Sequence, residues 1–400
     1  MNSLDGLTIG VGVTGGIAAY KAAELISRLV KLGACVVPIM TENARRFIAP
    51  LTLEALANQP AVYDMFERPR TWDVEHIALA KRMNALVIAP CTANVIGKLA
   101  SGIADDFLTT VAMATRAPIL LAPAMNDGMW TSDAVRDNMA VLRKRGVFTV
   151  GPAYGRLAEG GEGEGRMSQP VEIVEAIFAM LTPKDLAGVS VLVTAGPTRE
   201  ALDPVRFVSN RSSGRMGYAL AKMAVRRGAK VTLVSGPVAL ETPDGVNLVP
   251  VTTTADLHEA MLRLCVEQDI VIQAAAPADY RPDEVSDVKI KSGANPVITM
   301  TPNPDVAAAI GDRKHGGQVI VAFAAETGNP TEEARRKLVK KNADLVVAND
   351  VTLPGAGFDI DTNIAVLVTR DAAEPLPLMS KEALADAILA RALELRRSIS

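Results

Sequence analysis

The sequence has few cysteines, and this excludes two common ways of stabilising a small fold. Its 400 residues contain only Cys35, Cys91 and Cys265. The three lie far apart and form no CxxC pair, which argues against a disulfide framework and against a structural zinc site. Cysteine usage of this kind fits a reducing cytoplasm, where we expect the protein to be located.

Long apolar runs and an excess of one charge are also lacking. Although 49% of the residues are hydrophobic, no apolar stretch reaches the roughly 20 residues that span a bilayer, and no charged segment followed by an apolar signal core opens the chain. The 42 basic and 45 acidic residues nearly balance, so there is no basic surface for nucleic acid. We expect a soluble protein that binds neither membranes nor nucleic acids, although local sites for small acidic ligands remain possible.

A strand, a helix and a second strand follow one another near the start of each half of the chain. The segments with these patterns are 7–13, 17–32 and 34–40, then 189–193, 217–227 and 229–234. Both predicted helices end at a Gly-Ala pair, which is typical of a left-handed glycine cap. Strands alternating with helices predict α/β domains with parallel sheets and right-handed crossovers.

The chain is too long for one hydrophobic core, and we expect two domains. Further buried strands are predicted at 85–89, 119–122, 147–150, 270–274, 319–323, 345–348 and 364–368. The best boundary lies at 183–188, after a helix predicted at 171–181. The fold class is therefore two Rossmann-like three-layer domains with mainly parallel sheets, residues 1–185 and 186–400.

The turn at 13–16 is the first candidate binding element. It follows a strand and opens a helix, so its backbone amides and the helix dipole could hold a phosphate, although glycines that only permit a tight turn would look the same. The string is not GxGxxG, and no acidic residue ends the second strand to hold a ribose, which counts against NAD. A phosphate without a second nucleotide points to FMN.

Several polar residues follow other predicted strands of the first half. Thr92 and Asn94 could bind a ligand or only cap the next helix. His76 has a side chain suited to proton transfer, although a lone histidine is more often a surface residue. Asn126 follows a strand and could meet a substrate carboxylate, with Met125 packing beside it. The glycine-rich stretch 155–165 is either a flexible loop or, as we prefer, an active-site flap closed by Arg166 and Met167.

Two strings stand out as chemical fingerprints. The first is Pro-Ala-Met-Asn-Asp-Gly-Met-Trp at 123–130, and the second is Ser-Asn-Arg-Ser-Ser-Gly-Arg-Met-Gly at 209–217. The second string lacks the apolar periodicity of a core element and lies before a predicted helix, in the region where open α/β sheets bind ligands. Gly214 and Gly217 could permit close approach of a ligand, although tight turns would also use them.

Together these strings resemble two known enzyme families. Residues 14–21, 75–77 and 123–130 are similar to flavin-dependent cysteine decarboxylases, specifically phosphopantothenoylcysteine decarboxylase. The second half resembles phosphopantothenate-cysteine ligase through residues 194–200, 203–206, 209–217, 278–282 and 289–291. The resemblance spans essentially the whole chain, in the order of the fused bacterial enzymes of coenzyme A biosynthesis.

For the first half, the resemblance implies FMN-dependent decarboxylation of 4'-phosphopantothenoylcysteine to 4'-phosphopantetheine. His76 would be the acid/base, and Asn126 would bind the departing carboxylate. Glu159 stands where the family flap commonly has a cysteine, and a carboxyl group can deliver a proton but cannot act as a thiol. The cofactor contacts implied are Gly15, Gly16, Ile17, Thr92, Asn94 and Met125.

For the second half, the resemblance implies that CTP, with Mg²⁺, activates 4'-phosphopantothenate as an acyl-cytidylate, which cysteine then attacks. Asn210 would act on that intermediate, with Arg206 nearby. Lys337 and Lys341, four residues apart, would share a helical face. The alternative is a solvated helix surface, which is the usual role of a segment rich in lysine and arginine. The CTP contacts implied are Ala275, Asp279, Lys289, Asn303, Pro304, Asp305, Val306, Phe323, Lys337 and Lys341.

The resemblance also implies a homo-oligomer, with decarboxylase trimers and ligase dimers giving a dodecamer. Two alternatives stay open. Glu159 motivates a working ligase with an impaired decarboxylase. A flavin-binding regulatory subunit is the other alternative, against which the presence of His76 and Asn126 argues.

Overall fold

The computed structural model describes residues 3–65, 75–156, 160–291, 297–326, 330–350 and 360–399. The chain divides into two compact units, Met1–Thr182 and Pro183–Ser400. Each unit is built on a mainly parallel sheet with helices on both faces, so the predicted fold class is confirmed. Within the described ranges, no helix combines the length and the apolar character needed to cross a membrane.

The first unit has a five-stranded parallel sheet of order β2-β1-β3-β4-β5. Its strands are β1 (Thr8–Val13), β2 (Cys35–Met40), β3 (Ala85–Cys91), β4 (Ile119–Pro123) and β5 (Phe148–Thr149), followed by an antiparallel hairpin of β6 (Ala153–Arg156) and β7 (Glu162–Arg166). Its helices are α1 (Tyr20–Lys31), α2 (Pro50–Ala57), α3 (Glu75–Arg82), α4 (Ala93–Ser101), α5 (Phe107–Ala114), α6 (Asp127–Trp130), α7 (Asp133–Lys144) and α8 (Pro170–Leu181).

Side chains of the first sheet alternate between two hydrophobic cores. In β3, Val87 faces the core formed with α1, α2 and α8, whereas its neighbours Leu86 and Ile88 face the core formed with α3, α4, α5 and α7. This alternation follows from the two-residue period of a strand. Because the central strands are buried on both faces, they read in the sequence as continuous apolar runs.

The second unit has an eight-stranded sheet of order β12-β11-β8-β13-β16-β17-β19-β20. Its strands are β8 (Ser190–Ala195), β9 (Arg199–Ala201), β10 (Phe207–Ser209), β11 (Lys230–Ser235), β12 (Val246–Pro250), β13 (Ile270–Gln273), β14 (Tyr280–Pro282), β15 (Met300–Pro302), β16 (Val319–Glu326), β17 (Leu345–Asp350), β18 (Thr362–Asn363), β19 (Val366–Val368), β20 (Ala373–Pro375) and β21 (Met379–Ser380). Its helices are α9 (Arg215–Arg226), α10 (Thr254–Leu264), α11 (Val306–Asp312), α12 (Pro330–Lys340) and α13 (Lys381–Ile399).

Helices α9 and α13 cover one face of this second sheet, and α10, α11 and α12 cover the other. In this sheet β12, β11, β8, β13, β16 and β17 pair in parallel, and β19 and β20 add an antiparallel edge. Such an edge on an otherwise parallel sheet is common in doubly wound folds.

Predicted and observed elements differ in several places, including the following three. The helix predicted at 17–32 opens with a 3₁₀ turn, Ile17–Ala19, before α1 begins. Strand β12 was not predicted, because this edge strand is largely exposed and lacks an alternating apolar pattern. In the glycine-rich stretch 155–165, the described residues at both ends pair as β6 and β7. The predicted glycine caps are confirmed at Gly33 and Gly228, with φ of 91° and 90°.

Gly217 is explained by packing of a helix on a strand rather than by a ligand or a turn. It lies inside α9, where an added Cβ would be 2.5 Å from the Cβ of Ala195 and 2.7 Å from the carbonyl oxygen of Thr194. Gly214, in contrast, is the N-cap of α9 with a φ of 77°, which favours glycine. The two glycines of the fingerprint therefore have different structural causes.

We predict that Gly217→Ala destabilises the second unit by about 1–3 kcal/mol, because the strand backbone cannot move aside without disturbing the sheet. Gly316→Ala is the matched control, since its added Cβ meets no atom within 4 Å. Calorimetry on the full chain measures both variants. Equal unfolding temperatures for the two would contradict the packing explanation.

Candidate functional site

The first unit contains a cavity of about 940 Å³ at the carboxyl ends of β1, β2, β3 and β4. Ligands bind at this edge in open α/β sheets. The cavity brings together the turn after β1, the start of α4 and the segment after β4, which are far apart in sequence. Its lining includes every predicted cofactor contact and the predicted carboxylate-binding residue: Gly15, Gly16, Ile17, Thr92, Asn94, Met125 and Asn126.

Thr14 fixes the glycine turn against the next strand. Its buried hydroxyl donates to the carbonyl oxygen of Pro90 at 2.7 Å and accepts from the N–H of Thr92 at 3.2 Å. Thr92 is the N-cap of α4, yet its side chain makes no capping hydrogen bond, so helix capping does not explain its side chain. An added Cβ on Gly15 would lie 2.4 Å from the Cβ of Asn43, which leaves room only for glycine.

Four cationic side chains line the same cavity: Lys21, Lys98, Arg156 and Arg166. Lys98 is paired with Asp105 and Asp106, at 2.7 Å and 3.1 Å. Lys21 is buried, and its Nζ donates to the carbonyl oxygen of Met167 at 3.3 Å and to Oε1 of Gln169 at 3.4 Å. Burial and the nearby Arg166 lower the pKa of Lys21 from its ordinary value, against the opposing effect of Glu172 and Glu24. A cavity lined in this way suits an anionic ligand. Sequence reasoning missed Lys21 and Arg156 as cavity residues, although Lys21 belongs to the string 14–21.

The β6–β7 hairpin docks on the segment that carries Asn126. The N–H of Met125 donates to the carbonyl oxygen of Gly165 at 2.9 Å, and the N–H of Glu164 donates to Oδ1 of Asp127 at 3.2 Å. An added Cβ on Gly165 would lie 2.2 Å from the carbonyl oxygen of Met125. Close backbone approach therefore accounts for glycine in β7, which the sequence suggested as a sign of flexibility.

Asn126 has a defined orientation at the cavity. It is the N-cap of α6, and its Oδ1 accepts from the N–H of Gly128 at 2.8 Å. This contact assigns the amide oxygen to the helix end, so the amide nitrogen is the atom suited to donate to an anion.

The structure does not bring His76 into the cavity of a single chain. Its half-buried ring lies edge-on to Phe107, with ring centroids 6.3 Å apart and an interplanar angle of 88°, and His76 is not among the cavity-lining residues. Glu159 lies outside the described residues.

The second unit has a smaller cavity, of about 200 Å³, at the carboxyl halves of β8, β13 and β16. It brings together most of the predicted CTP contacts, from four separate stretches of sequence. Those on its lining are Ala275, Asp279, Asn303, Pro304, Asp305, Val306, Phe323 and Lys341.

Polar contacts hold the loops of this cavity in place. Thr194 Oγ1 accepts from the N–H of Ala275 at 3.0 Å, and Asn303 Nδ2 donates to the carbonyl oxygen of Ala278 at 2.9 Å. Asp305 caps α11 by accepting from the N–H of Ala308 at 3.1 Å. Residues 303–305 thus lead into the start of α11, which forms part of the cavity wall.

The predicted lysines differ in their relation to the cavity. Lys341 lines it, with Nζ 3.9 Å from Oδ1 of Asp305, whereas Lys337 does not line it. Burial lowers the pKa of Lys341, against the effect of Asp305, and the charges of Lys337 and Lys340 lower it further. Lys341 follows the last residue of α12, and its N–H donates to the carbonyl oxygen of Lys337 at 2.9 Å. The predicted helical face therefore ends one residue before Lys341.

The other predicted ligase residues are not on the lining of this cavity. Asn210 Nδ2 donates to the carbonyl oxygens of Pro277 at 2.9 Å and of Ala276 at 3.3 Å, so its loop joins the cavity wall. Arg206 pairs with Asp203, its Nε 3.1 Å from Oδ2, and Lys289 is exposed. Burial alone would raise the pKa of Asp203, but hydrogen bonds from three backbone N–H groups, together with Arg206, lower it.

Comparisons with known proteins cover nearly the whole chain. Residues 2–182 match the family described as flavoprotein, and residues 186–395 match the DNA/pantothenate metabolism flavoprotein C-terminal domain. The coenzyme A biosynthesis bifunctional protein CoaBC of Vibrio cholerae is 46% identical over 392 residues, which are 97% of this chain and 98% of the relative.

The protein of the same name from Bacillus subtilis is 47% identical over 375 residues, or 92% of each chain. A crystal structure of the C-terminal domain of such a bifunctional protein is 40% identical, with a TM-score of 0.47, and the match covers 54% of this chain and 99% of that one.

Proposed function

The chain belongs to the family of coenzyme A biosynthesis bifunctional proteins, and from that premise we propose which unit carries each of its two activities. The protein is an enzyme of coenzyme A biosynthesis with a decarboxylase and a ligase activity. We assign the decarboxylase to residues 1–185 and the ligase to residues 186–400. The observation that carries this proposal is that the predicted cofactor contacts line one cavity and most predicted CTP contacts line another.

We propose that the decarboxylase unit holds FMN in its cavity. The match to the flavoprotein family supports a flavin, and the glycine turn with Lys21, Arg156 and Arg166 nearby suits a single phosphate. Gly15 and Gly16 would hold the phosphate, and Thr92 and Met125 would contact the rest of the cofactor. FMN, when bound, supplies the two-electron chemistry at the cysteine end of the substrate.

The chain's own residues would orient the substrate and control its protons. The amide nitrogen of Asn126 would donate to the substrate carboxylate, held in that orientation by the contact of Oδ1 with Gly128. The docked hairpin would cover the cavity and limit access of water. These roles place the carboxylate that departs as carbon dioxide beside the loop after β4.

A homo-oligomer is part of the proposal because the cavity of one chain lacks the proposed acid/base. Ile17 and Tyr20 line the cavity with 67% and 64% of their surface exposed, and exposed apolar side chains at one place support a protein interface. His76 would have to reach the cavity from a neighbouring subunit. We propose decarboxylase trimers and ligase dimers, assembled as a dodecamer in the cytoplasm, a compartment that the three unpaired cysteines fit.

We predict that the purified protein is yellow and releases FMN on denaturation. Gly15→Ala should lower the affinity for FMN about tenfold or more, because its Cβ would clash with Asn43 and displace the turn. Gly97→Ala, in α4, is the matched control, since Gly97 does not line the cavity and its nearest new contact would be Nδ2 of Asn138 at 3.7 Å. Visible absorption and mass analysis of the released cofactor provide the measurement. Release of FAD or NAD would refute the proposal.

For the ligase unit, we propose two steps that use CTP as co-substrate. The carboxylate of 4'-phosphopantothenate attacks the α-phosphorus of CTP, forming the acyl-cytidylate and releasing pyrophosphate. The amine of cysteine then attacks the acyl carbon, forming the amide and releasing CMP. Lys289 and Lys341 would stabilise the phosphate charge. Asp279 and Asp305 line the cavity, and their carboxylates are ligands that Mg²⁺ accepts, so we propose that Mg²⁺ enters with CTP.

One alternative keeps the ligase and impairs the decarboxylase, because Glu159 stands where the family commonly has a cysteine. A reaction with 4'-phosphopantothenate, cysteine and CTP, whose products are identified by mass, distinguishes this alternative from the proposed bifunctional enzyme. We expect 4'-phosphopantetheine and carbon dioxide as products. Accumulation of 4'-phosphopantothenoylcysteine would instead support the impaired decarboxylase, and absence of both products would refute the ligase assignment.

Two substitutions should separate the ligase half-reactions. Lys289→Gln should slow pyrophosphate release about 100-fold, because a well-placed electrostatic contact contributes ~3 kcal/mol. Asn210→Asp replaces an amide donor by an acceptor, so the acyl-cytidylate should form and persist. Quenched reactions analysed by mass should show the intermediate with the Asn210 variant and none with the Lys289 variant. An acyl-phosphate, or equal activity with any nucleotide, would mean that the activation chemistry is wrong.

A further inference from the structure

The carboxylate of Asp203 joins two loops that are far apart in sequence. Its side chain is fully buried, and Oδ1 accepts from the N–H groups of Val205 and Arg206, both at 2.8 Å. Its other oxygen, Oδ2, accepts from the N–H of Ile290 at 3.1 Å, across 87 residues of sequence. One oxygen therefore holds the turn at 202–206, and the other holds the main chain at Ile290.

Arg206 completes the connection between the two loops. Its Nε lies 3.1 Å from Oδ2 of Asp203, and its Nη2 donates to the carbonyl oxygen of Ile290. A further backbone hydrogen bond, from the N–H of Ser286 to the carbonyl oxygen of Leu202 at 3.0 Å, runs parallel to these contacts. Both polar groups of the Ile290 main chain are thus engaged by the turn at 202–206.

Lys289 adjoins this fixed point. Residues 283–291 form no helix or strand, and Lys289 is exposed, so neither regular structure nor packing of its side chain holds it. A long lysine side chain loses rotamer freedom when it is held against a phosphate. A fixed main chain at the next residue reduces the disorder that Lys289 must lose to reach its position.

We propose that Asp203 is a positioning residue of the ligase, which acts with Arg206 through the main chain of Ile290 to place Lys289 for the activation step. This inference rests on the proposed function, in which Lys289 stabilises charge as the carboxylate attacks CTP. It assigns to Asp203 a role in the rate of pyrophosphate release, beyond holding its own turn.

Asp203→Asn separates these two tasks. The amide oxygen of asparagine can still accept from Val205 and Arg206, so the turn at 202–206 is kept. The amide nitrogen replaces Oδ2 and presents a donor to two donors, the N–H of Ile290 and Nε of Arg206. The contact with the 286–290 segment is therefore lost while the local turn remains.

Asp269→Asn is the matched control. Asp269 also combines a backbone donor with an arginine partner: Oδ2 accepts from the N–H of Ser190 at 2.8 Å, and Oδ1 accepts from Arg396 at 2.6 Å. It lies before β13 and next to the start of β8, at the amino ends of these strands and opposite the cavity. We expect the two substitutions, Asp203→Asn and Asp269→Asn, to lower the stability of the folded protein by similar amounts.

The first measurement is single-turnover pyrophosphate release from CTP and 4'-phosphopantothenate. We expect Asp203→Asn to slow it about tenfold or more, with a change in the half-saturating CTP concentration below about threefold, and Asp269→Asn to change neither. Combined with Lys289→Gln, Asp203→Asn should add no further loss, because both act through one group. Multiplied losses in the double variant, or equal losses in the control, would overturn the proposal.

The second measurement does not depend on activity. Trypsin cleavage after Lys289 and Lys291 in the intact chain should be faster for Asp203→Asn than for the wild type or Asp269→Asn, because the segment is released. Unchanged cleavage would overturn the proposal. Wild-type protein without CTP-dependent pyrophosphate release would instead refute the proposed function, while cleavage still tests the connection of the two loops.

Ile290→Pro tests the same connection from the other side, should Asp203→Asn fold poorly. Proline removes the N–H that Asp203 accepts and leaves the 202–206 turn unchanged. It should give the same slow pyrophosphate release and the same lack of additivity with Lys289→Gln. A wild-type rate in a folded Ile290→Pro protein would overturn the proposal.

Discussion

Parallel pairing of the central strands is the constraint on which both cavities depend. Because β1 pairs in parallel with β3, and β8 with β13, the loops that follow them emerge at one edge of each sheet. The strands themselves are buried on both faces and carry almost no polar side chains. The cavity-lining residues therefore come mainly from the loops and the strand ends, where residues distant in sequence meet without any dedicated framework.

Pairing alone would leave these loops loosely placed, and buried polar contacts at the strand ends remove that freedom. Thr14 connects the loop after β1 to the loop after β3, and Thr194 connects β8 to the loop after β13. In each case a hydroxyl at the end of one strand bonds the backbone beyond the next. Such hydrogen bonds are worth most where water is excluded, since an unpaired partner would carry the cost of desolvation.

Features that depend on a local sequence pattern could be predicted from the sequence. Features that depend on contacts between residues distant in sequence could not. Buried strands such as β3 were predicted from their apolar runs, and the helix cap at Gly33 was predicted from its Gly-Ala pair. The glycines of β7 suggested flexibility, because no local pattern shows that a Cβ at Gly165 would lie 2.2 Å from the carbonyl oxygen of Met125. The bond between Asp203 and Ile290 spans 87 residues and has no sequence period to reveal it.

The two units use one architecture for different electrostatic tasks. In the first, Lys21 is buried, its described hydrogen-bond acceptors are backbone and amide oxygens, and Glu172 and Glu24 act on it only through their charges. In the second, Lys341 faces Asp305, whose carboxylate also caps α11. A lysine that forms an ion pair with a carboxylate binds an added anion less tightly than a lysine without such a direct ion pair. This difference fits the proposed functions, a retained cofactor in the first unit and a nucleotide that leaves after each turnover in the second.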